Sequence, residues 1–310
     1  MTIRYDIVHT TSYRYGEPVR FGEHRVMFRP RDSHDLRVLA TDLQVSPEST
    51  VRMIQDPHSN SVALVQPTAP ASELRIVCTF TIEHARSNNL ELPLSPSAEF
   101  FPFAYTVEER FDLEQYMRPH YDDPGGQLTG WARQFIRTDG PTRTRELLVQ
   151  MNQHIRDHFR YVARNEEGTQ APTQTLELGT GSCRDFALLM MEAARRLGVA
   201  SRFVSGYLYD PALDAAGQAD ADGENDTPAP EQAVPTVGAG STHAWLQAYL
   251  PGAGWVPFDP TNNLLGGYEL IRVGVARDPG QAAPIAGTWF GKPDAYLGME
   301  VSVQVTRQPG

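Results

Sequence analysis

Cys183, His243 and Asp259 combine residue types and settings that can do covalent chemistry. Cys183 lies in Gly179-Thr180-Gly181-Ser182-Cys183-Arg184-Asp185, where a glycine-rich turn runs into an apolar helical pattern. Unpaired amides and the positive end of a helix dipole at such a position favour a thiolate. The glycines, Gly181 among them, let a substrate backbone approach the sulfur, and Ser182 stands beside it as a second contact candidate. Cys78, the other cysteine, falls on the apolar face of a strand-like run and reads as core. No disulfide between the two is expected.

His243 and Asp259 flank Pro251-Gly252-Ala253-Gly254, a turn between two strand-like runs. Folding these runs as a hairpin centred near 251 places His243 opposite Asp259, Trp245 opposite Pro257 and Gln247 opposite Trp255. All these positions share parity and so share a face. Directly opposed Cβ atoms lie about 4.5–5.5 Å apart, which suits an imidazole N–H donating to a carboxylate. The carboxylate would fix the tautomer and leave the other ring nitrogen free to act as base. The chemistry implied is attack of a thiolate on an amide or ester carbonyl, with a thioester then captured by water or an amine. Backbone amides near Cys183 are candidates for oxyanion stabilisation.

These residues need elements to position them. Leu147, Leu148, Met151, Ile155 and Phe159 form one stripe and predict a helix over 143–160, after a shorter one over 128–137. A third helix is expected from Cys183 to Leu197, capped by Ser182, with Asp185 at the capping-box position and Gly198 as the stop. It is apolar almost all round and so should be buried. Strands are expected over Ser201–Leu208, His243–Leu250 and Gly254–Asp259. Residues 1–85 read as a β-sandwich-like domain, because Ile3, Tyr5 and Ile7, and Leu74, Ile76, Cys78, Phe80 and Ile82, alternate with polar neighbours. Residues 86–125 show no clean period and read as a wrapping connector. Residues 126–310 would form the catalytic domain, C-terminal strands included. Residues 210–240 hold seven acidic residues and no Lys or Arg, as a mobile surface loop would. It is either an inert insertion or a lid, since it feeds directly into His243.

The chain has 310 residues and a formal net charge of -11, which disfavours nucleic acid as a partner and also a polybasic membrane anchor. No stretch approaches the roughly 20 apolar residues of a membrane helix, and no leader pattern opens the chain. A cytoplasmic location is expected.

The motifs together resemble a known family. Gly-Ser-Cys183-Arg-Asp-Phe-Ala, Leu197-Gly-Val-Ala-Ser-Arg-Phe-Val-Ser-Gly-Tyr207, Thr-His243-Ala-Trp and Gly-Trp-Val-Pro-Phe-Asp259-Pro-Thr-Asn are similar, in this order, to the core of bacterial transglutaminase-like proteins. The first 85 residues resemble the β-rich region that accompanies that core, and the tail with Val301, Val303 and Val305 resembles the family's C-terminal strands. The resemblance implies an α+β chain with a papain-like transglutaminase core and a Cys183-His243-Asp259 triad. It also implies a peptide or protein substrate offering an amide, an isopeptide or a glutamine side chain, and no cofactor. Crosslinking, amide cleavage, deamidation and acylation all occur on such a core. The insert at 210–240 is longer than usual, and Ala276-Arg277-Asp278-Pro279-Gly280 replaces a more typical Gly-Arg-Asp-Tyr run.

Other residues admit two readings. Trp245 and Trp255 either line an acyl channel or pack beside the triad, and Tyr161 is a further substrate-contact candidate. His154 and His158 have metal-ligand spacing, but nothing nearby completes a site, so no metal is expected. The competing functions are a catalytically silent peptide-binding module in the same cleft and a thiolate metal site built on the three residues.

Overall fold

The computed structural model describes residues 2–85, 93–164, 167–213 and 236–308. Most of the acidic stretch therefore lies outside the described residues, as does its assignment as loop or lid. The N-terminal alternation becomes strand Thr2–Phe21, with Ile3, Tyr5 and Ile7 buried and their neighbours outward. It pairs antiparallel with Ala71–Ala85, Ile7 opposite Phe80 and His9 opposite Cys78. Leu36–Ser46 extends that sheet beyond Ala71–Ala85. A second sheet runs Ile285–Ala286, His24–Val26, Ser61–Pro67, Ser49–Gln55. Tyr5, Ile7, Val26, Val65, Ile76 and Ile82 from the two sheets share one apolar core, as expected of a sandwich.

The tail departs from expectation. Strand Tyr296–Arg307 belongs to the N-terminal sheet rather than to the catalytic part, pairing with Thr2–Phe21 so that Ile7 meets Val305 and His9 meets Val303. Trp289–Phe290 and Ile285–Ala286 likewise add to the two N-terminal sheets. The physical reason is that a 20-residue strand has an edge on each side, and an uncovered edge is a liability. A boundary at 85 therefore cuts through a unit that the end of the chain completes.

The connector also holds more structure than its pattern suggested. Helix Val107–Met117 lies inside it, started by a capping box in which the Thr106 hydroxyl accepts from the Glu109 N–H and Glu109 accepts from the Thr106 N–H. Leu113 is its one buried residue, so no apolar stripe announced it.

In the second half, helix Cys183–Arg196 packs on an antiparallel sheet ordered Gly254–Phe258, Thr242–Leu250, Ser201–Leu208, Leu270–Ala276. Every residue from Phe186 to Arg195 is buried. Two of them are charged. Arg195 and Glu192 form a fully buried ion pair at 2.8 Å. Arg195 also donates to the carbonyls of Tyr116, Ser201 and Arg277, and Glu192 accepts from the N–H groups of His120 and Tyr121. Such a pair is tolerated when its remaining hydrogen-bonding capacity is met, and here it ties the end of helix Val107–Met117, the residues after it, the start of strand Ser201–Leu208 and Arg277 to the helix. The two halves meet where Tyr207 and Ile271 of the sheet beneath helix Cys183–Arg196 enter the sandwich core and the Tyr207 hydroxyl lies 2.8 Å from Nδ1 of His9.

Candidate active site

The turn that carries Cys183 is held from three sides. Gly179 takes a left-handed φ of 61° and ends helix Pro172–Leu178. Thr180–Gly181 then pairs in parallel with Arg160–Tyr161, with Arg160 N–H donating to the Gly179 carbonyl and Val162 N–H to that of Gly181. Asp185 is fully buried and accepts from the Ser182 N–H at 2.8 Å, the Gln170 N–H at 2.7 Å and the Arg164 guanidinium at 2.9 Å. The helix start is thereby fixed, and Cys183 sits at its first position, 7% exposed.

His243 and Asp259 share a face, as parity requires, but the hairpin register differs from expectation. Leu250 pairs with Gly254, so the loop is 251–253 and its centre falls one residue later. Every pairing therefore shifts by two: Gln247 faces Pro257 and Tyr249 faces Trp255. The strand ends at Phe258, and Asp259 approaches His243 diagonally instead of from directly across. Diagonal neighbours on one face remain within reach of long side chains. His243 Nε2 and Asp259 Oδ2 are 2.8 Å apart, both side chains fully buried. On its other flank His243 pairs with Gly206, where a Cβ would meet the Ile271 carbonyl oxygen at 2.1 Å and the Trp245 indole at 2.7 Å. Only glycine lets that indole pack there.

Burial opposes a charge on His243, but the Asp259 carboxylate, its hydrogen bond and then the Cys183 thiol outweigh it and raise the imidazole to about 10. Burial also opposes the Asp259 charge. The ring, the amide of Asn262 at 3.0 Å and the N–H of Thr261 at 2.9 Å overcome it, so its carboxyl titrates below the ordinary range. Asp259 uses Nε2, which leaves Nδ1 on the side of the Cys183 thiol.

The substrate-contact candidates separate. Tyr161 lies in register beside Gly181, and burial together with the nearby Cys183 pushes its phenol up to about 12. Its hydroxyl stays a neutral donor at the nucleophile's side of the site. Trp245 is 1% exposed, its ring 6.0 Å from that of His243 and packed with Val204, Leu208, Leu270 and Val275. It is a wall behind the histidine with no surface for a ligand. Gly181 and Ser182 are buried too; a Cβ on Gly181 would stand 2.9 Å from Cβ of Asp185, so this glycine serves helix packing rather than substrate approach. Trp255 carries the Arg202 guanidinium 4.1 Å above its ring. His154 and His158 stack at 4.0 Å, and no cluster of metal-ligating side chains is found among the described residues. Asn262 went unassigned in the sequence, although it stands three positions after Asp259 in the motif itself.

Known proteins resemble this chain over most of its length. Residues 129–260 match the transglutaminase-like superfamily core, and residues 5–83 match the bacterial transglutaminase-like N-terminal region. The chain carries a transglutaminase-like superfamily core behind a bacterial transglutaminase-like N-terminal region. Its relatives include the uncharacterized protein ML0607 of Mycobacterium leprae, 25% identical over 98% of this chain and 99% of the relative. Another is the uncharacterized protein Rv2569c of Mycobacterium tuberculosis, 25% identical over 98% of this chain and 93% of the relative. Among solved structures, a Cytophaga hutchinsonii protein proposed to be a cysteine protease superposes with a TM-score of 0.67 at 17% identity, over 98% of this chain and 91% of that one. The fold is thus one on which cysteine-based enzymes are built, α+β with a β-rich N-terminal region.

Proposed function

We propose that this transglutaminase-like protein transfers or hydrolyses acyl groups through a thioester on Cys183, with His243 as base and acid and Asp259 as the group that orients it. The observation that carries the reading is the buried His243–Asp259 pair beside a helix-start cysteine. A charged imidazole next to the sulfur is the partner a thiolate needs. The thiolate attacks the carbonyl carbon of a peptide, isopeptide or glutamine amide, the C–N bond breaks, and His243 gives its proton to the leaving amine. Water or an amine then attacks the thioester, His243 takes the proton, and the thiolate is restored. Asp259 stays ionised throughout. In this reading the Tyr161 phenol, which is electrostatically coupled to Cys183, joins the helix-start amides as a donor to the developing oxyanion. The substrate class is peptide or protein.

The test is a single-turnover burst with an activated ester, which reads thiol acylation without knowledge of the natural substrate. A stoichiometric burst is expected for the wild type and none for Cys183→Ala. An equal burst in Cys183→Ala refutes the reading.

A further inference from the structure

Between the acidic stretch and His243, residues 236–240 run as a strap against the imidazole. Gly238 takes φ 90°, and a Cβ there would stand 3.0 Å from Nδ1 of His243. Two side-chain tethers hold the strap to the core. The Asn262 amide accepts from the Val237 N–H at 2.9 Å and donates to the Val237 carbonyl at 3.1 Å, and the same amide nitrogen donates to Asp259 Oδ2. The Thr236 N–H donates to Oδ2 of the buried Asp210 at 3.3 Å. The Gly240 carbonyl also accepts from the Val303 N–H of the C-terminal strand.

Nδ1 is the atom that must take the proton of whatever captures the thioester, so the acceptor has to stand within hydrogen-bond distance of it. The strap occupies that side of the ring. We infer that residues 236–240 form the acceptor wall of the site, latched by Asn262, and that the wall admits water and unbranched primary amines while rejecting amines branched beside the nitrogen. The inference rests on the thioester reading above. Glycine at 238 leaves the space beside Nδ1 open for one small group, and the tethers keep the wall from retreating. Asn262 is a positioning residue: it acts on the reaction through the strap and through Asp259.

The experiment forms the acyl-enzyme with an activated ester and measures its capture by methylamine and by isopropylamine, two amines of nearly equal basicity. The readout is the ratio of the two amide products. A weakened base slows both captures alike and cancels in the ratio, so damage to Asp259 alone does not move it. The wild type should favour methylamine strongly. Asn262→Ala should reduce that preference by roughly tenfold, the size of effect a hydrophobic wall exerts on one or two carbons. Asp210→Ala releases the other tether without touching Asp259 and should shift the ratio in the same direction. Faster hydrogen exchange at the Val237 amide would accompany the shift in Asn262→Ala. Absence of an acylation burst in the wild type overturns the thioester reading and this inference together. A normal burst with an unchanged ratio in both variants overturns the acceptor wall alone.

Discussion

At the scale of single residues, the two cysteines offer a controlled comparison, since both are buried and neither forms a disulfide. Burial pushes the Cys78 thiol up to about 11, with only minor relief from Thr41 and Arg29. Cys183 instead stands at a helix start with its side chain beside the His243 imidazole. Alkylation by iodoacetamide at mildly acidic pH, followed by mass spectrometry, should therefore modify Cys183 far faster than Cys78; equal rates would remove the case for an activated thiol. Within the proposed triad, His243→Ala should be nearly as damaging as Cys183→Ala, and Asp259→Asn milder, because the amide keeps the shape but loses the charge. Double variants should be strongly non-additive in single-turnover acylation, and simple additivity would argue against one working unit. His243 also makes a stability prediction. Its pKa rises from 6.5 to about 10 on folding, so its contribution is fully present below the unfolded value and is lost as pH climbs through the folded one. The advantage in Tm of wild type over His243→Gln should shrink steadily across that window, and a constant advantage would contradict the buried ion pair.

At the scale of elements, legibility followed how local the signal was. Helix Cys183–Arg196 was readable because its cap, its apolar run and its Gly198 stop lie within one short segment. Helix Val107–Met117 was missed because it buries only Leu113, though the capping box Thr106-Val107-Glu108-Glu109 was there to be seen. The hairpin kept its face and lost its register: alternation fixes parity, while the offset depends on how many residues the turn absorbs, which Pro-Gly-Ala-Gly does not settle. The helix start has its own test. Asp185 is fully buried and gathers the Ser182 and Gln170 amides and the Arg164 guanidinium, so Asp185→Ala removes the anion that joins them. The expected loss is about 3 kcal/mol or more in denaturant unfolding, with acylation impaired as well because the Cys183 turn loosens. A loss within experimental error would mean that the parallel pairing of Thr180–Gly181 with Arg160–Tyr161 holds the turn unaided.

At the scale of the whole molecule, the long-range closures were the part the sequence hid. Nothing local in Val301, Val303 and Val305 says that they face Thr2–Phe21, nearly 300 positions away, because strand pairing partners leave no mark on either strand. The same holds for the joint between sandwich and catalytic sheet, where His9 lies stacked at 3.7 Å on Phe28 with Nδ1 2.8 Å from the Tyr207 hydroxyl. Tyr207 belongs to the strand that flanks His243, so this joint links the N-terminal sheet to the site. Burial alone drives His9 down from 6.5 to about 3, which means it is neutral in the folded protein throughout the mildly acidic range. The unfolded chain binds a proton there and the folded one does not. Unfolding thus takes up a proton between those two values, and stability falls as pH falls through the window. His24 and His84 are shifted the same way by burial and add to the trend. His9→Gln retains a polar partner for Tyr207 but cannot titrate. It should cost stability at neutral pH, where it disturbs the stack on Phe28, and yet reduce the drop in Tm between neutral pH and about pH 4. The two effects have opposite signs, so a simple packing defect cannot mimic them. If the variant loses as much stability on acidification as the wild type, the acid limb comes from other groups, and the joint is held by packing without a titrating centre.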